Sequence, residues 1–171
     1  MVPFACVQPC RIAALAPTSY YIVMDDYEKT RQRYKPKHIK VLMIAESPPP
    51  AASVQSSRQF YRATPIRKDD RVFVNTIKAL YPEAAELTEA QLEPNKDTWL
   101  RRFQSDGWYM IEALETSQVH EVTKKQRQER IKTALPRLTE RVKELVEADT
   151  KIILIKSVSY THLTLPTNRE V

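Results

Sequence analysis

The strongest constraint on this chain is the stretch 40–50, KVLMIAESPPP, where five apolar residues are fenced by Lys40 on one side and by Glu46, Ser47 and three prolines on the other. The run is too short for an ordinary helix and has no polar alternation. It fits a strand covered on both faces, as in a parallel sheet between helices. Pro48, Pro49 and Pro50 fix φ and remove their amide donors, so the loop leaving the strand is stiff and offers no backbone nest for an anion.

Residues 108–114, WYMIEAL, fit a helix or a strand by pattern, and their place after a helix and the turn at Gly107 favours a second strand; residues 151–155, KIILI, read as a third apolar strand. Between the first two runs, residues 69–81 place Val72, Phe73, Thr76, Ile77 and Leu80 at helical spacing behind Asp69 or Asp70 as N-cap. Residues 87–103 carry signals for two short helices, one begun by Thr88 with Gln91 as a capping box, the other by Asn95 or Asp97 after Pro94. Residues 123–148 predict a long helix with Ile131, Leu135, Leu138, Val142 and Leu145 on one face and Pro136 as a point of kinking. Residues 25–39, DDYEKTRQRYKPKHI, read as an exposed basic lead-in, with Pro36 breaking any helix. The order strand, helices, strand, helix, strand predicts βαβ units, hence an α/β fold of three layers, α/β/α, around a parallel central sheet.

A chain of 171 residues suits one domain. Gly107 is the only glycine, which excludes P-loops and dinucleotide fingerprints, since both need several positions without a Cβ. No segment approaches the run of about 20 apolar residues of a membrane span, and residues 1–23 lack the basic start and unbroken apolar centre of a secretory signal. The expectation is a monomeric cytoplasmic protein with no membrane partner. Cys6 and Cys10 have no companion cysteine or nearby histidine, so neither a metal nor another cofactor is expected. The formal net charge of +6 points to an anionic partner, nucleic acid first. Arg11 is the sole charge in residues 1–23, and Arg169 and Glu170 cancel in the tail, so the basic excess lies between.

In open parallel sheets ligands bind beyond the carboxyl ends of the strands. The residues there are Glu46 and Ser47, then Glu112 and Glu115, then Lys156. A carboxylate beside apolar walls is suited to activating water; the competing reading of Glu46 is a cap for nearby backbone amides. Phe60 and Tyr61, with Arg58, Arg62, Arg67, Lys68 and Arg71 close in sequence, combine stacking surface with phosphate-seeking charge. The competing reading is a core aromatic beside a solvated basic face. Lys124, Lys125, Arg127, Arg130 and Lys132 read as the wet face of the long helix.

A strand ending Ala-Glu-Ser-Pro-Pro resembles the first motif of the uracil-DNA glycosylase superfamily, in which a strand ends in Gly-Glu-Ala-Pro-Gly or a related sequence. It is closer to the small glycosylase-like proteins in which Glu-Ser-Pro-Pro precedes a Phe-Tyr pair, here Phe60 and Tyr61. Residues 109–112, YMIE, and 152–156 are similar to the family's next strands, so the resemblance spans about 40–157. It implies an enzyme that receives a flipped uracil-type base of DNA at the strand ends and hydrolyses its N-glycosidic bond. Glu46 would position the water. Ser47, Pro48, Phe60, Tyr61 and Glu112 would hold the base, and Arg58, Arg62, Arg67 and Lys156 the backbone. Ala45 and Pro49 stand where the family has glycines, Glu112 stands where many relatives carry a base-reading asparagine, and no His-Pro second motif follows. The alternative is a non-catalytic nucleic-acid or nucleotide binding module of the same fold.

Residues 158–167, VSYTHLTLPT, resemble the conceptual translation of a transposase-type sequencing adapter. The expectation is therefore a doubtful leader at 1–23, with Met24 as a second possible start, an incomplete domain at 24–157 missing its last strand, and an adapter-derived tail at 158–171. On that reading the fragment is inactive and the full-length parent carries the activity.

Overall fold

A computed structural model describes residues 27–47, 60–62, 70–115 and 123–155. Its first element, the helical segment α1 (residues 27–33), falls where the sequence predicts an exposed lead-in. That expectation is corrected. Tyr27, Arg31 and Tyr34 recur at helical spacing and are 5%, 7% and 1% exposed. Their buried parts are aromatic rings and an aliphatic stem with polar ends, so a hydropathy reading passes over them. Pro36 lies beyond the helix end and does not interrupt it.

The strands are β1 (Val41–Ala45), β2 (Trp108–Glu112) and β3 (Lys151–Leu154), all parallel, in the order β2-β1-β3. β1 is central, with Val41 opposite Trp108 on one side and Lys151 on the other. Leu42 and Ile44 on one face are fully buried and Met43 on the other is 8% exposed, as a strand between two helical layers requires. Gly107, at φ +85°, makes the turn into β2, and its carbonyl accepts from the amides of Lys40 and Val41 at 2.9 and 3.1 Å.

Between β1 and β2 lie α2 (Arg71–Leu80), α3 (Glu89–Leu92) and α4 (Lys96–Ser105), joined by 3₁₀ turns at Pro82–Ala84 and Glu93–Asn95. α2 buries Phe73, Val74 and Ile77, whereas Val72 is 45% exposed, so its apolar face is rotated from the predicted one. Asp70 sits at the N-cap of α2 without a side-chain capping bond, because its carboxylate is taken by Lys96 at 2.5 Å. Thr88 and Gln91 do form the predicted capping box.

α5 (Lys124–Leu145) runs from β2 to β3, capped by Thr123, whose Oγ1 accepts from the Gln126 amide at 3.2 Å. Pro136 lies within it. Ile131, Leu138 and Val142 are buried, and Leu135 and Leu145 pack partly against the same core. Because the chain moves from β1 to one neighbour and then across to the other, right-handed crossovers set α2–α4 and α5 on opposite faces of the sheet. The fold is α/β with a parallel central sheet, as predicted. The connections diverge at β1, so the crevice such sheets use for ligands opens at its carboxyl end. Among the described residues no helix is long and apolar enough to cross a membrane.

Candidate functional site

The carboxyl end of β1 is held by ladder bonds that run past the last strand residues: Ala113 N–H donates to Ala45 at 2.8 Å and Leu114 N–H to the Glu46 carbonyl at 2.9 Å. The backbone under Glu46 is therefore fixed, and its half-buried side chain stands at the crevice. Arg127, in the first turn of α5, brings Nε to 3.2 Å from Glu46 Oε1. The Nε is buried, and no acceptor is aligned for a hydrogen bond, so the contact is a charge pair rather than a directed bond. Ser47 is half-buried next to it. The Arg127 side chain stays 41% exposed, as the wet-face reading of α5 expects, and the ion pair with Glu46 is an addition to that reading. Its signal was positional: the helix after a parallel strand begins near the carboxyl ends of the sheet.

Glu112 is enclosed at 4% exposure. The Tyr27 hydroxyl donates to its Oε1, and Arg31 Nη1 donates to Oε2 at 3.1 Å. Burial pushes the Glu112 carboxyl above the usual range, an effect opposed by Arg31 and by the Tyr27 hydrogen bond. Burial, then the adjacent carboxylate, pushes the Tyr27 phenol up. The Glu112 backbone carbonyl accepts from Arg141 Nη1 at 3.1 Å. Both carboxylate oxygens are thus engaged by α1, which sequence reasoning did not place at the site. Glu115 pairs with Arg137 at 2.8 Å and lies 3.8 Å from Arg141.

Phe60 and Tyr61 are 3% and 0% exposed. Phe60 packs edge-on against Tyr61 and Phe73, with ring centroids 5.0 and 5.7 Å apart, and Tyr61 stacks on Tyr34 at 5.9 Å. The rings assigned as base stackers are enclosed in the core. Arg62 is half-buried, and its charge bears on Lys96. Pro48, Arg58, Arg67 and Lys156 lie outside the described residues, so the structure brings Glu46 and Ser47 together at the strand end and sets Glu112 apart in its own buried cluster.

At the opposite end of the sheet, His38, Glu147 and Asp149 offer ligand atoms within 4.8 Å of one another. His38 Nδ1 lies 3.0 Å from Glu147 Oε2 and Nε2 3.2 Å from Asp149 Oδ2. Two carboxylates facing the two ring nitrogens is the arrangement of an imidazolium, and it needs no ion to explain it.

No family model, no curated protein and no solved structure matches this chain.

Proposed function

We propose that this protein is a uracil-DNA glycosylase-like hydrolase acting on a flipped uracil-type base of DNA, with Glu46 positioning the attacking water. The observation that carries this reading is the placement of Glu46 on a rigid backbone at the carboxyl end of the central parallel strand, where the strand connections diverge. The Glu-Ser-Pro-Pro resemblance adds the chemistry. Uracil release by the protein, with single-stranded and duplex substrates side by side, tests it. Clean DNA binding without release would sink the enzymatic reading.

One set of contacts favours the binding-module alternative. Glu46 faces a cation, Glu112 is occupied by Tyr27 and Arg31, and the aromatic pair is enclosed. A module that recognises a nucleotide without cleaving it needs no free carboxylate. Cytoplasmic location and a monomeric state belong to the same proposal.

A further inference from the structure

We propose that residues 124–132 of α5 form an arm hinged at Pro136, whose swing sets the width of the crevice at the carboxyl end of β1, with the Arg127–Glu46 pair as its latch. The inference concerns the crevice itself and stands apart from the reaction assigned to Glu46.

α5 runs from Lys124 to Leu145, but three residues weaken its backbone ladder in one place. Pro136 has no amide hydrogen, so the Lys132 carbonyl one turn earlier loses its helical partner, and the proline ring crowds that carbonyl. Thr133 Oγ1 donates to the Glu129 carbonyl at 2.9 Å, and Thr139 Oγ1 donates to the Leu135 carbonyl at 2.8 Å. Side-chain bonds of this kind, reaching four residues back, compete with the ladder and bend helices. All three residues fall within 133–139.

The two sides of this weak point are held differently. Beyond it, Leu138 and Val142 are 1% and 3% exposed and belong to the main core, Leu145 packs against that core, and Arg141 Nη1 donates to the Glu112 carbonyl at 3.1 Å. Before it, only Ile131 is buried among the described side chains of residues 125–132, and among the described residues it stands outside the core cluster that takes in Leu138 and Val142. The arm's polar tie to the sheet is the charge pair of Arg127 with Glu46, in which Arg127 is 41% exposed and its Nε has no aligned hydrogen bond. An exposed pair of this kind adds little stability. A segment with few buried contacts and a solvated backbone opens locally at low cost.

Because Arg127 reaches Glu46 from the first turn of α5, the arm forms one wall of the crevice beyond β1. Pivoting at Pro136 moves that wall while the second half of the helix stays fixed to the sheet.

The test is amide hydrogen exchange resolved by residue in NMR spectra of the whole chain, as wild type, Pro136→Ala and Arg127→Gln. After correction for intrinsic rates, the wild type should show a step, with the amides of residues 128–132 exchanging at least about tenfold faster than those of 139–145. Pro136→Ala restores the missing ladder bond and should slow 128–132 by about tenfold or more while leaving 139–145 near their wild-type rates. Arg127→Gln should speed the arm alone by up to about fivefold, the scale of one exposed ion pair. Equal protection on both sides of Pro136, a smooth gradient of end fraying from Thr123, or an effect of either substitution spread evenly along α5 overturns the hinge. These outcomes leave the reading of Glu46 untouched, since uracil release tests that separately.

Discussion

The hydroxyl of Tyr61 bonds both backbone groups of Met110, accepting from its amide at 2.7 Å and donating to its carbonyl at 3.3 Å. The Ala113 amide points to β1, so by alternation the Met110 groups point the other way, to the edge of β2 that no strand covers among the described residues. A side chain thus blunts an open sheet edge from inside the core.

Tyr61→Phe keeps the ring and leaves the Met110 amide and carbonyl buried without that partner. The expected cost is about 1–3 kcal/mol, read by urea unfolding. A change within error would mean that the edge is satisfied by other groups.

Gly107 carries φ +85°, and a Cβ added there would meet Lys40 Cγ at 2.8 Å. The Lys40 side chain can give way, so the backbone conformation sets the expected cost of Gly107→Ala, about 1–2 kcal/mol. Gly107→Asn should cost less than Gly107→Ala in the same unfolding experiment, because asparagine tolerates the left-handed region.

Lys96 is fully enclosed, 2.5 Å from Asp70 and 4.5 Å from the Phe73 ring centroid. Burial lowers its pKa, against the pull of Asp70. Lys96→Met removes the ion-pair partner of a buried carboxylate at an expected cost of about 3–5 kcal/mol, and adding Asp70→Asn should return a large part of it. A double variant no better than the single would show that the pair is uncoupled.

The pKa of His38 is held above its ordinary value by the hydrogen bonds its ring donates to Glu147 and Asp149. A raised folded-state pKa stabilises fully below the unfolded value of about 6.5 and loses that contribution as pH climbs through the folded value. The melting temperature of the wild type should therefore fall on going from pH 6 toward pH 8 relative to His38→Asn, whose profile lacks this step. Parallel profiles would assign the clamp no role in stability.

The strands and long helix were legible because their signals are local. The unbroken run 41–45 became β1 to the residue, and Thr88–Gln91 and Thr123 started helices where read. What failed was tertiary. Tyr27 and Arg31 bury through aromatic and aliphatic parts while bonding a carboxylate 85 and 81 positions away, a relation no window of sequence contains. Asp70 looked like an N-cap, but a buried lysine 26 positions on outcompetes the helix amides for its carboxylate. The strand-end rule puts Glu46 just past β1, where it lies, whereas nothing local distinguishes its partner Arg127 from the other cations of the same helix.

The central claim is that the Glu46 carboxylate activates water at the end of β1. It is tested most directly by uracil release from a uracil-containing oligonucleotide by the wild-type protein and its Glu46→Gln variant. The account predicts release by the wild type that falls by about 10²–10⁴-fold in the variant, the usual contribution of a positioned general base. Salt-sensitive DNA binding by both proteins with no uracil released by either would contradict it.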